Sequence, residues 1–225
     1  MMNTQPEETN SKKLKETRDE ILSMGGLVEK AIARAVDALK KRDLTLAHQI
    51  MADDAKVNEK RFNIENRCIE IIAGEHPQEA DLRTIVAILN IVTELERIGD
   101  YAEGIAKIVI MIGDEPPLKP LVDIPRMAEI TIEMIHESVA AFMDGDAKKA
   151  AQVVSMDNAV DNLYDQVFRE LLTFMMADPK TVNRATRFIW IAHNLERAAD
   201  RATNICERVV YMVTGKMAEI GASKY

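Results

Sequence analysis

The chain has 225 residues and a formal net charge of −8, and 47% of its residues are hydrophobic but only 4% aromatic. This composition is typical of a folded globular protein rather than a disordered one, and the acidic balance with few aromatic rings argues against nucleic-acid binding. Nine glycines and seven prolines leave little turn chemistry, so a fold of many short strands is not expected.

Apolar residues recur every three to four positions and predict six long helices. In chain order they cover residues 11–41, 43–73, 79–112, 124–144, 146–177 and 180–214. Asp43 has the side chain and the position of an N-cap for the second helix. Pro77 breaks the chain before the third helix, and Pro179 does so before the sixth. The predicted fold class is therefore all-α.

The two halves of the chain form a tandem repeat. At an offset of 103 residues, Asp43 matches Asp146 and Asp54 matches Asp157, and in the last helix of each half the offset becomes 100. Six of fifteen residues are identical between 94–108 and 194–208. Each half therefore predicts an elongated antiparallel three-helix bundle. We predict a first repeat over residues 1–113, a linker over 114–123 and a second repeat over 124–225.

The sharpest candidate site is a pair of carboxylates four residues apart, which occurs at the same place in both repeats. The two pairs are Glu96 with Asp100 and Glu196 with Asp200. Such side chains share one helix face, and like charges there cost about 0.2–0.5 kcal/mol unless a cation lies between them. Both pairs border the apolar stripe of their helix. The alternative is an ordinary solvated ion pair, because Arg97 and Arg197 each lie three residues before the aspartate.

The second helix of each repeat can supply further oxygen ligands from the facing side. The candidates are Asp54, Asn58, Asp157 and Asp161. Carboxylate and carboxamide oxygens suit Mg²⁺, Mn²⁺ or Ca²⁺, and carboxylate clusters also hold iron. We therefore predict one metal site in each repeat, and the sequence leaves the metal open among Fe, Mn, Mg and Zn.

Other side chains give weaker functional signals. The four histidines do not recur between the halves, although the last lies one turn from Glu196; they are His48, His76, His136 and His193. No His-Glu-x-x-His, nucleophile motif or phosphate-binding loop is found. The pair Gly25 and Gly26 lies within a helix and predicts a kink or close packing.

The cysteines and the pattern of apolar residues indicate the cellular location to expect. Cys68 and Cys206 form no metal or disulfide motif, so we expect two buried thiols in a reducing environment. No apolar run reaches the ~20 residues of a membrane span, and the first residues lack the apolar region of a signal peptide. A cytoplasmic location is expected.

The segment 95–106 and its echo over 194–205 resemble the signature of the PhoU family of phosphate-specific transport system accessory proteins. The first reads LERIGDYAEGIA and the second NLERAADRATNI. The resemblance extends to chain length, helix number, repeats and linker position. It implies two three-helix bundles side by side, often as a homodimer. It also implies a bacterial cytoplasmic regulator without catalysis of its own.

The resemblance implies metal ions at the family's E(D)xxxD motifs, in some members as multinuclear iron clusters. The motifs fall on Glu96, Asp100, Glu196 and Asp200, and the acidic positions of the facing helices fall on Asp54, Asn58, Asp157 and Asp161. Asn58 replaces a carboxylate, and Thr203 and Asn204 differ from Glu103 and Gly104. The two sites are therefore not expected to be chemically identical or equally loaded.

On this resemblance we expect a negative regulator of phosphate uptake and of the phosphate-starvation response. It would act as a metal-binding adaptor between the phosphate ABC transporter and a sensor histidine kinase. The runner-up is a carboxylate-bridged metalloenzyme, a di-iron oxidoreductase or a phosphohydrolase. The absence of Glu-x-x-His pairs argues against the di-iron oxidoreductase. The absence of a basic cluster that could bind phosphate argues against the phosphohydrolase. A structural scaffold without metal is the third possibility.

Overall fold

The computed structural model describes residues 5–75 and 77–216, which form six α-helices and one 3-10 turn. The helices are α1 (Gln5–Lys41), α2 (Leu44–Glu75), α3 (Glu79–Ile112), α4 (Asp123–Asp144), α5 (Ala147–Ala177) and α6 (Val182–Thr214). The 3-10 turn covers Pro179–Thr181. The described ranges contain no strand, and the predicted all-α fold of six helices is confirmed.

Two helices begin two or more residues away from the predicted start. α1 begins at Gln5 instead of residue 11, because its polar first turns carry no apolar periodicity by which the sequence could mark them. α6 begins at Val182 instead of residue 180, since the residues after Asp178 first form the 3-10 turn. Short 3-10 turns are frequent at the ends of α-helices.

The helices form two three-helix bundles that lie side by side. α1, α2 and α3 pack on one another, and so do α4, α5 and α6. Between the bundles α3 packs on α6 and α1 packs on α4. Within the described residues, α2 and α5 contact only helices of their own bundle, so they lie on the outside. Tandem three-helix repeats, as the sequence predicted, are confirmed.

Equivalent residues cap the second helix of each repeat. The backbone N–H of Leu46 donates to Asp43 Oδ1 at 2.9 Å, which confirms the predicted N-cap. In the second repeat Asp146 Oδ1 accepts from the backbone N–H groups of Lys148 and Lys149, at 2.9 and 3.0 Å. The same capping chemistry at an offset of 103 residues supports the register in which the repeats are aligned.

The bundles approach each other closely because small residues face bulky ones. A Cβ built on Gly25 of α1 would lie 3.1 Å from Val139 Cγ2 of α4, whereas a Cβ on Gly26 would meet nothing within 4 Å. The close packing predicted for this pair is therefore confirmed, for Gly25 alone. The core of the molecule is mainly aliphatic, and Ile85, Ile88 and Leu95 of α3 are fully buried in it.

The segment between α3 and α4 is tied to both bundles. The guanidinium of Arg42 donates to the carbonyl of Asp114 at 3.0 Å, and that of Arg184 donates to the carbonyl of Pro116 at 3.0 Å. Lys119 forms ion pairs with Asp123 and Glu170. The segment predicted as a linker thus lies against the folded repeats. The division of the chain into two domains stays a prediction.

Candidate metal centres

In the first repeat, α2 and α3 bring the predicted polar residues together where the helices are close. Asp54 faces Gly99, and a Cβ on that glycine would lie 3.2 Å from Asp54 Oδ1. Burial raises the pKa of Asp54, and so do the negative charges of Asp100, Glu103 and Glu96. The first-repeat acidic cluster therefore consists of Asp54, Glu96 and Asp100, with Asn58 beside them.

Two of these three carboxylates already accept hydrogen bonds from α2. The amide Nδ2 of Asn58 donates to Asp54 Oδ2 at 2.8 Å. The guanidinium Nη1 of Arg61 donates to Glu96 Oε1 at 2.9 Å, while its Nε donates to Glu65 Oε1 at 2.8 Å. Sequence reasoning missed Arg61. Its position three residues after Asn58, on the same face of α2, was the signal that could have indicated it.

In the second repeat, α5 and α6 bring four carboxylates together, namely Asp157, Asp161, Glu196 and Asp200. Burial raises the pKa of Asp157 to about 7, and the charges of Asp161 and Asp200 add to the rise. Burial raises the pKa of Glu196 to about 7 as well, helped by the other three carboxylates. Asp200 is also an ion-pair partner, because Arg197 Nη1 donates to its Oδ2 at 3.2 Å. The solvated-pair alternative thus holds in part for Asp200.

Two buried oxygens of this second-repeat acidic cluster have no hydrogen-bond donor: Asp157 Oδ1 and Glu196 Oε2. Glu196 Oε2 lies 3.3 Å from His193 Nδ1, but the geometry is not that of a hydrogen bond. A buried acceptor without a partner costs about 1–3 kcal/mol. Such oxygens fit a bound cation. Within residues 5–75 and 77–216, however, no three acidic, histidine or cysteine side chains already converge as a metal-binding group.

Of the histidines, only His193 lies at an acidic cluster in the described residues, one turn from Glu196 as the sequence indicated. His193 contacts Glu196 and its ring centroid lies 5.9 Å from that of Tyr164, and burial lowers the pKa of His193. His48 hydrogen-bonds its own helix at the carbonyl of Leu44, and His136 lies 3.4 Å from Glu29. His76 lies outside the described residues.

The fold and the clusters together define a class of protein. It is an all-α protein of two similar three-helix repeats, each of which carries one acidic cluster between its second and third helix. Among the described helices none is both long and apolar enough to cross a membrane.

Comparison with known sequences identifies the family within this class. The PhoU domain matches residues 21–109 and 124–209, once in each repeat. The chain belongs to the PhoU family, so the resemblance seen in the sequence is confirmed.

Two relatives match this chain almost end to end. A phosphate-specific transport system accessory protein PhoU homolog from Aquifex aeolicus is 40% identical over 92% of this chain and 94% of its own length. A homolog of the same name from Clostridium acetobutylicum is 38% identical over 92% and 95%. These names describe accessory proteins, and the prediction that the chain is not an enzyme is confirmed at the level of the family. The metalloenzyme alternative finds no support in them.

Solved structures share the architecture. The crystal structure of PhoU from Pseudomonas aeruginosa superposes with a TM-score of 0.87 at 38% identity, over 92% of this chain and 99% of that one. The phosphate transport system regulatory protein PhoU from Streptococcus pneumoniae gives a TM-score of 0.86 at 30% identity, over 93% and 99%. Both bundles therefore have counterparts in these proteins.

Proposed function

We propose that the chain is an accessory regulator of phosphate transport that restrains phosphate uptake when phosphate is plentiful. The observation that carries this proposal is the match over nearly the full length of both proteins, which includes both repeats and the segment between them. A match to one repeat alone would support a shared three-helix bundle but not a shared function. Here the complete tandem unit is shared.

The regulator acts as an adaptor. Its proposed partners are the cytoplasmic side of a phosphate ABC transporter and a sensor histidine kinase, and its proposed state is a cytoplasmic homodimer. The names of the relatives, which assign them to a phosphate-specific transport system, support the first partner. The kinase and the homodimer come from the family resemblance. Control then takes place by contact, since the family supplies no reaction.

The acidic clusters are proposed to bind metal cations that cross-link the second and third helices of a repeat. The buried oxygens Asp157 Oδ1 and Glu196 Oε2, which lack donors, support this role in the second repeat. Carboxylate oxygens are ligands for hard cations. Iron, Mn²⁺ or Mg²⁺ therefore suits this cluster better than Zn²⁺, which prefers softer nitrogen and sulfur ligands. A cation there would neutralise charges that now oppose one another.

Deletion of the gene in the cell of origin tests the proposed function. Cells grown in excess phosphate are assayed for phosphate uptake and for alkaline phosphatase, a reporter of the starvation response. Both should rise in the deletion strain and return to the starting level when the gene is supplied on a plasmid. If neither quantity changes, the chain does not regulate phosphate transport in that cell.

A further inference from the structure

The two acidic clusters differ at two neighbouring positions of the second helix. At the offset of 103 residues, Asn58 of α2 corresponds to Asp161 of α5, and Arg61 corresponds to Tyr164. Glu96 and Glu196 are equivalent at the offset of 100. The first repeat therefore has an amide and a guanidinium where the second has a carboxylate and a phenol.

We propose that the guanidinium of Arg61 takes the place of a metal cation in the first repeat, so that metal binds at the second repeat only. This inference rests on the proposed metal binding and narrows it to one site. It concerns which of the two clusters is open to a cation, which neither the family nor the sequence motif decides.

The contacts of Arg61 are those of a built-in cation. Its guanidinium donates at the same time to Glu96 on α3, at 2.9 Å, and to Glu65 on its own helix, at 2.8 Å. Arg61 is 27% and Glu96 only 16% exposed, so solvent screens this ion pair less than a pair on the open surface. A guanidinium remains charged at every physiological pH and does not leave when metal is scarce. It bridges α2 to α3 as a bound cation would.

The charge at the ligand positions differs accordingly. At the predicted ligand positions the first repeat presents three carboxylates, Asp54, Glu96 and Asp100, against the guanidinium of Arg61, and the charge of Glu103 acts on two of them. Asp54 is already bonded to Asn58. A divalent cation would have to displace Arg61 and would meet its repulsion at close range.

The second repeat lacks that positive charge. At the position of Arg61 it has Tyr164, which is neutral, lies within the electrostatic reach of Glu196 and has its ring beside that of His193. The buried Asp157 Oδ1 and Glu196 Oε2 accept no hydrogen bond. Arg197 pairs with Asp200, so one carboxylate is partly neutralised. Among the described residues, no arginine of α5 donates to Glu196 as Arg61 of α2 donates to Glu96. This cluster therefore has the vacant acceptors that a cation needs.

Metal titration of the full chain tests the inference. After dialysis against chelator, the protein is titrated with Mn²⁺; free Mn²⁺ is followed by electron paramagnetic resonance and bound metal by elemental analysis. We expect Glu196→Gln to weaken binding about tenfold or more, and the matched change Glu96→Gln to leave it unaltered. Both substitutions keep the shape of the side chain.

A reciprocal exchange makes the test sharper. The double change Asn58→Asp with Arg61→Tyr gives the first repeat the residues of the second, and should raise the bound metal to about twice the wild-type amount. The converse change, Asp161→Asn with Tyr164→Arg, should abolish binding. Circular dichroism and the melting temperature check that each variant is folded.

The outcomes separate the inference from the metal proposal itself. If Glu96→Gln and Glu196→Gln lower metal content equally, metal binds at both repeats and the inference is overturned while metal binding stands. If wild type and the Asn58→Asp/Arg61→Tyr variant both bind no Mn²⁺ or iron, the proposed metal binding falls, and the inference falls with it. Loss of metal with Glu196→Gln alone supports both.

Discussion

Arg61 of α2 and Tyr164 of α5 occupy the same position in the two repeats, but Arg61 donates to Glu96 at 2.9 Å whereas Tyr164 has no charge to offer Glu196. The two repeats share one fold, but their acidic clusters differ in electrostatic environment. In the first repeat a cation of the protein itself bridges the helices. In the second, Glu196 keeps a buried oxygen without a hydrogen bond.

The change Glu196→Gln should stabilise the metal-free protein at alkaline pH. The pKa of Glu196 is raised to about 7 in the fold, from an ordinary value of 4.5. Between these values the folded state binds more protons than the unfolded state, so the contribution of this group to stability falls as pH rises. Relative to the glutamine variant, wild type should lose on the order of 1 kcal/mol between pH 5 and pH 8, allowing for partial solvent screening.

Urea unfolding in the presence of chelator measures this difference at both pH values. Asp157→Asn serves as a second variant, because burial also raises the pKa of Asp157 to about 7. A difference between wild type and Glu196→Gln that stays constant from pH 5 to pH 8 would contradict the raised pKa.

Neighbouring glycines should respond in opposite directions to the same substitution. Gly25→Ala places a methyl group 3.1 Å from Val139 Cγ2, in the contact between α1 and α4, and Val139 is buried and cannot move aside freely. We expect a loss of about 1–2 kcal/mol from overpacking. Gly26→Ala meets no atom within 4 Å and should gain about 0.5–1 kcal/mol from helix propensity. Equal melting temperatures for the two variants would show that the repeats do not pack through Gly25.

Glu94 and Arg201 should couple the two repeats energetically. Glu94 Oε2 on α3 accepts from Arg201 Nη1 and from Asn204 Nδ2 on α6, both at 3.3 Å. The side chain of Glu94 is only 19% exposed and that of Arg201 only 15%. A double-mutant cycle to alanine should give a coupling of about 1–2 kcal/mol. The exposed pair Lys41 and Asp37, at 66% and 40%, is the control and should give a clearly smaller coupling. Similar values for both pairs would refute a special role for the contact between the repeats.

The two cysteines should be unreactive in the folded protein. Cys68 and Cys206 are fully buried free thiols, and burial raises the pKa of each to about 12. The thiolate is the reactive form, so a thiol reagent at pH 8 should label neither residue until denaturant is added. Labelling of the native protein at the rate of a free thiol would place at least one of them at the surface.

The sequence predicted the helices well because their apolar stripes are long and regular. The third helix, for which the sequence predicts residues 79–112, has those same bounds in α3 (Glu79–Ile112). The polar start of α1 could not be predicted, since a helix without an apolar face leaves no periodic signal. Asp43 was recognisable as an N-cap because that signal is local.

The acidic residues of the candidate sites were predictable, but the difference between the sites was only partly so. Asn58 could be compared with Asp161 in the aligned repeats, and it pointed to unequal sites. The helix pattern places Arg61 on the same face of α2 as Asn58, but it does not reveal the contact with Glu96, which lies 35 residues further along the chain on another helix. Charge partners that join different helices emerge only from the packing.

The most direct test of the account is the phosphate uptake rate of phosphate-replete cells that lack the chromosomal gene and carry one plasmid-borne variant. Wild type should restore low uptake, and Glu96→Gln should do the same. Asp157→Asn combined with Glu196→Gln should leave uptake high at an equal level of protein, because the proposed cation site is lost. Full restoration of low uptake by that double variant would contradict the claim that the second-repeat acidic cluster serves the regulation of phosphate transport.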